Sequence, residues 1–327
     1  MDQRSRIYVA GMSTLIGAAL VRELRRQGYV NLLTADGDEP DLSDAGAVDA
    51  FFTRYAPEVV FLAGGRTAGI RGNERFPADL MLNNLLVECH IVDRAFRHGV
   101  RQLLYLASSC CYPQACAQPM RVESLLTGPL EPTNEAYALA KLAGIGLCRA
   151  YAAQHGVRFI SVIPGDAFGP RDDFSPDESH VVAALLGRMH EAKLRGAATM
   201  AIWGTGTPRR DFVYADDLAD ACITVMQRYN GLSPINVSAG MDLSIRNLAE
   251  LLKDVVGFRG TLEFDISRPD GMPFKVLDTS ELQQLGWRPR TPLRDALQAT
   301  YAWFVEQERQ RALEANGGLP VPGESRR

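Results

Sequence analysis

Tyr137 and Lys141 stand in a Tyr-x-x-x-Lys spacing, and Ser108 follows the apolar run at 103–106. Residues spaced in this way share a helix face, so we predict that the phenol and the ammonium project together. An adjacent ammonium favours the phenolate, and we expect it to lower the pKa of Tyr137 and make this residue an acid or base near neutral pH. With Ser108 hydrogen-bonding the same oxygen, this set would move a hydride and a proton at a C–O centre. The spacing alone is a weak signal, because exposed helices commonly carry both residues.

The start of the chain predicts a unit that would bring a cofactor to that centre. A short buried strand at 6–10 precedes Gly11-Met-Ser-Thr-Leu-Ile-Gly17, and an amphipathic helix follows at 18–26. Strand, glycine turn and helix form the phosphate-binding unit of a dinucleotide fold. The motif is degraded, because Thr14 stands where a middle glycine lets the backbone approach phosphate, and an ordinary strand-to-helix turn is the alternative. The predicted cofactor contacts of this unit are Gly11, Ser13, Thr14, Leu15, Ile16 and Gly17.

The segment after a second predicted strand, at 30–34, bears on the choice of cofactor. Asp36 lies where a carboxylate binds the adenosine ribose and repels a 2′-phosphate, and no Arg or Lys lies between residues 30 and 51. Electrostatics therefore favour NAD over NADP, while a solvated turn at Asp36 is the alternative. Further cofactor contacts are predicted from Asp41 and Leu42, from Ala63 and Gly64 after a strand at 59–63, and from Pro164 at the end of a strand at 159–164.

Strands that alternate with helices predict an α/β fold built on a doubly wound parallel sheet of the Rossmann type. Helices are expected at 45–55 and 80–98, and a strand at 103–107. Ligands of such sheets bind at the carboxyl ends of the strands, which is where Ser108 falls. The predicted domains are a dinucleotide-binding domain at 1–170, a smaller, interleaved substrate domain at 171–316 with a helix at 181–193, and a disordered tail at 317–327.

Composition argues against several other classes of protein. The 327 residues carry a net charge of −4 without a basic stripe, so nucleic acid is not expected as a partner. No apolar run approaches membrane-spanning length, and residues 1–6 do not form a signal-peptide pattern. The six cysteines follow no regular spacing, and no histidine lies near Cys110, Cys111 and Cys116, so we predict no metal site. These properties indicate a reduced, cytoplasmic protein.

Longer runs of sequence narrow the class further. The glycine turn, Ser108 and the Tyr137–Lys141 pair resemble the extended short-chain dehydrogenase/reductases, and nearly the whole chain resembles the GDP-L-fucose synthases among them. The segments that carry this second resemblance are Ser108-Ser-Cys-Cys-Tyr-Pro113, Leu126-Thr-Gly-Pro-Leu-Glu-Pro-Thr-Asn-Glu135, Ser179-His-Val181, Trp203-Gly-Thr-Gly-Thr-Pro208, Pro269-Asp-Gly-Met-Pro-Phe-Lys275 and Leu285-Gly-Trp287. The resemblance implies an enzyme that inverts the carbons flanking the ketone of GDP-4-keto-6-deoxy-D-mannose and then reduces the ketone with NADPH. It also implies a homodimer, by analogy with the four-helix interface of the superfamily.

The resemblance also assigns roles to single residues. Ser108, Tyr137 and Lys141 match the hydride-transfer triad, and Cys110 and His180 match the base and the acid of the inversion. Tyr137, Lys141 and His180 also match cofactor contacts. The residues that match GDP-sugar contacts are Ser109, Asn134, Arg188, Trp203, Arg210 and Lys275. A thiolate and an imidazole suit proton transfer at a carbon near neutral pH. Arg210 and Lys275 supply positive charge for a diphosphate.

The chain departs from that family around the cofactor and the sugar. Ser13 and Thr14 replace an arginine and a glycine of the family, and the family's arginines after the second strand are missing. Asp166 and Phe168 lie in Pro164-Gly-Asp-Ala-Phe-Gly-Pro170, where the family has Pro-Thr-Asn-Leu-Tyr-Gly-Pro. These departures keep a second hypothesis open, a redox-neutral GDP-mannose epimerase with tightly bound NAD that would give GDP-L-gulose or GDP-L-galactose.

Structural alternatives apply to the single residues and to the whole chain. Cys110 is otherwise a small buried hydrophobe, His180 a packed or capping residue, and Arg188 a solvated helix residue. A third hypothesis is a non-catalytic regulator that binds a dinucleotide, since a fold does not fix a function. Such a protein would have no need of both inversion residues beside the triad, and it ranks behind the two enzymes.

Overall fold

A six-stranded parallel sheet forms the centre of the computed structural model, which describes residues 1–33, 39–175, 179–240, 242–268, 270 and 272–315. Its strands are β1 (Ile7–Ala10), β2 (Leu32–Leu33), β3 (Val59–Leu62), β4 (Gln102–Leu106), β5 (Arg158–Pro164) and β9 (Ile235–Val237). They lie in the order β2-β1-β3-β4-β5-β9. The direction of strand succession reverses between β1 and β3, which is where sheets of this kind bind their ligands.

Helices cover both faces of the large sheet. On one face α1 (Leu15–Arg26) packs against α7 (Ala215–Arg228). The other face carries α2 (Ala45–Tyr55), α4 (Pro77–Arg97) and α5 (Glu135–His155), and the short α3 (Ile70–Arg75) precedes α4. Because helices cover both faces, β1 and β3 are buried along their whole length and appear in the sequence as continuous apolar runs.

A second layered unit adjoins the large sheet and has its own apolar core. Its helices are α6 (Val181–Leu194), α8 (Ile245–Val256) and α10 (Leu293–Ala315). The short α9 (Ser280–Gln284) lies between the last two in the sequence and packs against β9, with Leu282 in the core of the large sheet. Its strands are β6 (Asp166–Phe168), β8 (Arg209–Tyr214), β10 (Asp242–Ser244) and β12 (Phe274–Lys275) in one sheet, and β7 (Thr199–Trp203) with β11 (Thr261–Asp265) in another. β8 is the central strand of the first of these sheets, because it pairs with the other three strands.

The predicted doubly wound sheet with an interleaved second unit is confirmed. The interleaving is visible at β9, where the chain returns to the large sheet after building part of the second unit. β6 pairs with β8 although it precedes residue 170, and the domain limits of the sequence analysis stay predictions. None of the helices in the described part of the chain is long and apolar enough to cross a membrane.

Several element boundaries differ from the prediction for local reasons. α1 begins at Leu15, ahead of residue 18, because the Thr14 hydroxyl caps the helix by accepting the N–H of Gly17 at 3.0 Å. α4 begins at Pro77, a residue suited to the first helical turn. The strand predicted at 30–34 is present at Leu32–Leu33, and α10 was not predicted. Asp36 and the predicted tail lie outside the described residues.

Candidate active site

Ser108 and Tyr137 meet beyond the carboxyl end of β4. The Ser108 Oγ accepts the N–H of Cys110 at 3.2 Å and thereby caps a short 3-10 turn at Ser109–Cys111. Tyr137 lies in the first turn of α5, is buried, and its phenol hydrogen-bonds with the Ser108 hydroxyl. The structure therefore brings together the two side chains that were predicted to hold one substrate oxygen.

Lys141 lies one helical turn after Tyr137 and is paired with a buried carboxylate. Its Nζ lies 3.1 Å from Oε1 of Glu88 on α4 and 5.8 Å from the centre of the Tyr137 ring. The Lys141 and Glu88 side chains are only 4 % and 1 % exposed. Glu88 Oε1 also accepts the hydroxyl hydrogen of Tyr105 at 2.5 Å. Glu88, Tyr105 and Lys141 thus form a buried network behind Tyr137.

The expected lowering of the Tyr137 pKa is wrong. Burial raises the pKa of Tyr137 well above its usual value, negative charge at Cys110, Cys111 and Glu88 raises it further, and the hydrogen bond with Ser108 opposes them. The ammonium of Lys141 does not reverse this effect, because Glu88 compensates its charge. Tyr137 is therefore held as a protonated phenol, the form that donates a proton to an oxygen.

Cys110 lies beside three charged side chains. Its Sγ is 3.5 Å from Asn134 Nδ2 and 3.9 Å from Lys275 Nζ, and both groups are N–H donors. Lys275 Nζ lies 3.0 Å from Asp166 Oδ1, and Arg210 Nε lies 3.9 Å from Asp166 Oδ2. Asp166, Arg210 and Lys275 are the charged cluster of this site. Lys275, predicted to contact the GDP-sugar, therefore lies at the thiol that was predicted to act as the base.

The protonation states in the charged cluster follow from its mutual contacts. Burial would raise the pKa of Asp166, but the charges of Lys275 and Arg210 lower it below its usual value. Burial would lower the pKa of Lys275, but the charges of Asp166 and Cys110 raise it. Asp166 is therefore a carboxylate and Lys275 an ammonium around neutral pH.

His180 immediately precedes α6 and interacts electrostatically with the same cluster. The residue is exposed, and desolvation by the protein around it lowers the pKa of His180. The charge of Asp166 opposes the shift by raising the pKa, and the charge of Lys275 adds to the lowering. Lys275 contacts Cys110, and the charges of Lys275 and Asp166 act on His180, so the charged cluster acts on both predicted inversion residues.

A cleft of about 250 Å³ opens where the strand order reverses, between β1 and β3. Six residues predicted to bind the cofactor line it, namely Gly11, Ser13, Thr14, Asp41, Leu42 and Gly64. The lining also includes Glu39, Ser43, Gly65, Arg66, Asn83 and Val87, which were not predicted. Of the predicted contacts that do not line it, Leu15, Ile16 and Gly17 form the first turn of α1, Ala63 follows β3, and Pro164 ends β5.

The glycine turn is shaped to admit a phosphate. Gly11 has a φ of +88°, and a Cβ on it would lie 2.4 Å from the Cα of Gly64, so only glycine allows the ends of β1 and β3 to approach this closely. Thr14 closes the turn with its side chain, which donates to the Gly11 carbonyl at 2.8 Å and caps α1. The Gly11 N–H donates to the carboxylate of Glu39. Glycine backbone, helix N-terminus and carboxylate fit the adenosine diphosphate part of a dinucleotide.

The predicted GDP-sugar contacts divide into two groups. Ser109, which is buried, and Asn134 lie with Lys275 and Arg210 around Cys110. Arg188 is exposed on α6 and donates to the carbonyl of Ala201 on β7. Trp203 ends the same strand and is 47 % exposed, with the guanidiniums of Arg71 and Arg268 at 4.8 and 5.2 Å from its ring centre. Trp203 and its two arginines thus present an aromatic face and positive charge together.

Two carboxylates of the site were missed from the sequence. Glu39 lies between the predicted Asp36 and Asp41 in the sequence, and its contact with Gly11 joins two positions 28 residues apart, which no local pattern shows. Glu88 follows Asn84 by one turn on a helix face that is otherwise apolar, and an acid at such a position is the signal that could have revealed it. In the described residues, no group of three His, Cys, Asp or Glu side chains could hold a metal ion.

Comparison with known proteins defines the class. A model of the NAD dependent epimerase/dehydratase family matches residues 7–240, and the chain belongs to that family. The chain is 47 % identical over 305 residues to GDP-L-fucose synthase 1 of Arabidopsis thaliana, with 93 % of this chain and 94 % of that protein covered. It is 43 % identical over 314 residues to the GDP-L-fucose synthase of Escherichia coli, with 93 % and 98 % covered. The chain is therefore a member of the GDP-L-fucose synthase family, as its sequence predicted.

Solved structures agree with this assignment. A GDP-6-OMe-4-keto-L-xylo-heptose reductase from C. jejuni superposes with a TM-score of 0.88 at 32 % identity, covering 94 % of this chain and 99 % of that one. A GDP-L-fucose synthetase from Naegleria fowleri bound to NADP gives 0.86 at 30 % identity, covering 94 % and 95 %. These relatives favour an epimerase/reductase over the redox-neutral epimerase and confirm that the chain is an enzyme that uses a nicotinamide cofactor.

Proposed function

We propose that this protein makes GDP-L-fucose from GDP-4-keto-6-deoxy-D-mannose, by inverting the carbons that flank the ketone and then reducing the ketone. The observation that carries the proposal is the position of Cys110. Its sulfur, faced by Asn134 and Lys275, lies in the same site as the Ser108–Tyr137 pair, so that one bound sugar can reach both. A simple dehydrogenase would need only Ser108 and Tyr137.

The inversion uses the acidity of a C–H bond next to a ketone. The Cys110 thiolate takes the proton, and the electron pair of the broken C–H bond moves onto the ketone oxygen as an enolate. Tyr137 and Ser108 hydrogen-bond this oxygen and stabilise its charge. The protonated His180 then gives a proton to the carbon from the opposite face, which reverses its configuration. Lys275 and Asn134 offset the negative charge of the thiolate before the step.

The reduction uses Tyr137 as an acid. The nicotinamide, when bound, supplies a hydride to the carbonyl carbon. Tyr137 donates its proton to the carbonyl oxygen as that oxygen becomes negative, and Ser108 orients it. Lys141 is an ammonium fixed close to the Tyr137 ring by Glu88, and it compensates the phenolate that the transfer leaves. The raised pKa of Tyr137 suits this direction, because the step begins with a protonated phenol.

Replacing Cys110 tests the proposed inversion. We expect Cys110→Ser to lower the exchange of the protons beside the ketone with solvent deuterium by about 10²–10⁴-fold, because a hydroxyl is a much weaker base than a thiolate. Ketone reduction by the triad should persist. Mass spectrometry of the sugar nucleotide after incubation in deuterated buffer measures the exchange. Cys116 is a free thiol on the same stretch of chain, and Cys116→Ser is the matched control. Unchanged exchange in the Cys110 variant would place the base elsewhere.

We further propose that NADH is preferred over NADPH. Glu39 and Asp41 line the cleft at the glycine turn, and Ser13 supplies no positive charge there, while Arg66 is the basic side chain of this lining. Burial raises the pKa of Glu39, but the carboxyl can accept a ribose hydroxyl in either protonation state. A 2′-phosphate would instead bring a doubly charged group towards Asp41.

The cofactor proposal predicts a gain of function. We expect the wild type to show a higher kcat/KM with NADH, and Ser13→Arg to shift the NADPH to NADH ratio on the order of tenfold towards NADPH, through a charge-assisted bond to the phosphate. Steady-state kinetics with each cofactor measures the ratio. Ser280→Arg, at an exposed site on α9, controls for added charge. A wild type that prefers NADPH would refute the proposal.

A further inference from the structure

Asp166 lies between Lys275 and Arg210 in the charged cluster and transfers no proton in the proposed reaction. This inference rests on the proposed function and extends it. We propose that Asp166 is a positioning residue for the inversion: its carboxylate holds the Lys275 ammonium beside the Cys110 sulfur, and its negative charge also acts on His180. Reduction by Tyr137, which uses other neighbours, would not depend on it.

Strand pairing brings the charged cluster together. β6 and β12 both pair with β8 in parallel, with Asp166 opposite Phe212 and Lys275 opposite Arg210. Residues far apart in the sequence thus converge on one small sheet that faces the turn carrying Cys110. The Asp166, Lys275 and Arg210 side chains are 29 %, 16 % and 15 % exposed, so their ion pairs are less screened than surface pairs. Each carboxylate oxygen faces a different cation, which fixes the orientation of Asp166.

The position of the Lys275 ammonium depends on Asp166. Lys275 has a long flexible side chain, and its Nζ lies 3.0 Å from Asp166 Oδ1 and 3.9 Å from Cys110 Sγ. The shorter contact is charge-assisted and holds the Nζ where it also faces the sulfur. An amide, as in the family's asparagine at this position, would accept a hydrogen bond from Lys275 but would supply no net charge. The carboxylate therefore gives this chain a stronger anchor for the group that balances the thiolate.

His180 senses the same carboxylate. Among the residues that the structure describes, the charged groups that act on it are Asp166 on β6, Lys275 on β12 and Asp173 in the segment before α6. Desolvation lowers the pKa of His180, Lys275 lowers it further, and Asp166 and Asp173 raise it. Removing the charge of Asp166 would leave the lowering effects less opposed. The imidazolium that returns the proton would then be populated only at lower pH.

The test compares proton exchange with reduction in the full-length protein. Asp166→Asn is incubated with GDP-4-keto-6-deoxy-D-mannose in deuterated buffer across a pH series without reduced cofactor, and deuterium in the sugar is measured. We expect exchange at neutral pH to fall about tenfold and the alkaline limb of its pH profile to move to lower pH. Asp166→Glu should keep the limb near its wild-type position, because it restores the charge. Single-turnover reduction of the bound ketone should change less than exchange does.

Asp242→Asn is the matched control, because Asp242 pairs with Arg209, the neighbour of Arg210 on β8, and touches no reacting group. Wild-type exchange in Asp166→Asn at every pH, or an equal loss in the control, would overturn the inference alone. Absence of exchange in the wild type would instead overturn the proposed function. If Asp166→Asn does not fold, Lys275→Met replaces it: lost exchange with retained reduction supports the role of the anchored ammonium, and unchanged exchange refutes it.

Discussion

The two proposed proton-transfer centres of this site are built from different surroundings. Tyr137, proposed to act on oxygen, stands in front of the buried network, where Lys141 and Glu88 are almost fully shielded from water. Cys110, proposed to act on carbon, stands beside the charged cluster, whose side chains remain partly open. Both centres contain a lysine paired with a carboxylate, but only the first pair is inside the core. The two centres therefore differ in the burial of these pairs as well as in the residue that transfers the proton.

This difference has a chemical consequence. In the buried network, desolvation and neighbouring negative groups raise the pKa of Tyr137, so its proton stays in place until an oxygen in front of it becomes strongly basic. In the charged cluster, salt bridges hold Asp166 and Lys275 ionised, and their side chains are 29 % and 16 % exposed. Both Tyr137 and Cys110 must recover their starting protonation state in each turnover, and the charged cluster is the more open of the two surroundings to water for that exchange.

The largest expected effect comes from the centre that acts on oxygen. Tyr137→Phe removes the proton donor, and we expect ketone reduction to fall by about 10²–10⁴-fold. Proton exchange beside the ketone should fall less, because Ser108 still bonds the enolate oxygen and the base is intact. Single-turnover reduction and deuterium exchange on the same preparation measure the two losses.

Tyr112→Phe is a suitable control for the Tyr137 variant. Tyr112 is also buried near the catalytic turn, but its hydroxyl donates to Asn236 at 2.6 Å and faces no reacting group. Equal losses of reduction and exchange in Tyr137→Phe would mean that the two centres are not separable, and the contrast between them would then fail.

Local sequence patterns predicted the outline of the Tyr137 centre, whereas Cys110, His180 and Lys275 were assigned from the family resemblance. The Tyr137–Lys141 spacing and the Ser108 turn follow from helix periodicity and from the end of a buried strand, so their meeting was foreseeable. The protonation state of Tyr137 was not foreseeable, because it depends in part on Glu88, which lies on another helix. The convergence of Asp166 and Lys275 likewise depends on the pairing of β6 and β12 with β8, a long-range contact that no local pattern encodes.

The next prediction concerns the contribution of the buried Lys141–Glu88 pair to the stability of the fold. Glu88→Gln leaves the Lys141 ammonium buried without its counter-charge, and we expect a loss of roughly 3–5 kcal/mol in the free energy of unfolding. Urea denaturation measures it. Asp166→Asn should cost less, since its partners retain access to water. The double variant Glu88→Gln/Lys141→Met should recover much of the loss, and a double variant less stable than the single one would contradict the account.

The same Glu88 variant should shift the pH dependence of reduction in a defined direction. Glu88 contributes to the raised pKa of Tyr137, so the neutral glutamine makes that pKa lower than in the wild type. Reduction needs the protonated phenol and is lost as pH rises through its pKa. The alkaline limb of the reduction profile should therefore move to lower pH, while that of deuterium exchange should move less. An unmoved reduction limb in a folded variant would show that Glu88 does not act on Tyr137.

The smallest expected effect separates the two bonds that Glu88 makes. Tyr105→Phe removes the 2.5 Å hydrogen bond to Glu88 Oε1 and leaves the ion pair with Lys141 in place. The ring should stay where it is, because it packs against Gly144 of α5, where an added Cβ would lie 2.5 Å from it. We expect a loss of about 1.5–3 kcal/mol in the free energy of unfolding, the range for bonds to charged groups, with reduction changed only slightly.

Tyr29→Phe gives the reference for that measurement. Its hydroxyl accepts a hydrogen bond from the neutral Gln227 side chain at 3.0 Å, so its loss should cost only about 0.5–1.5 kcal/mol. If Tyr105→Phe costs no more than this control, the carboxylate is stabilised by Lys141 alone, and Tyr105 only fills space. If instead Tyr105→Phe also lowers reduction as strongly as Glu88→Gln does, the hydroxyl is needed to orient the carboxylate towards Lys141. The buried network would then act as one unit, unlike the charged cluster, in which Asp166 faces each cation separately.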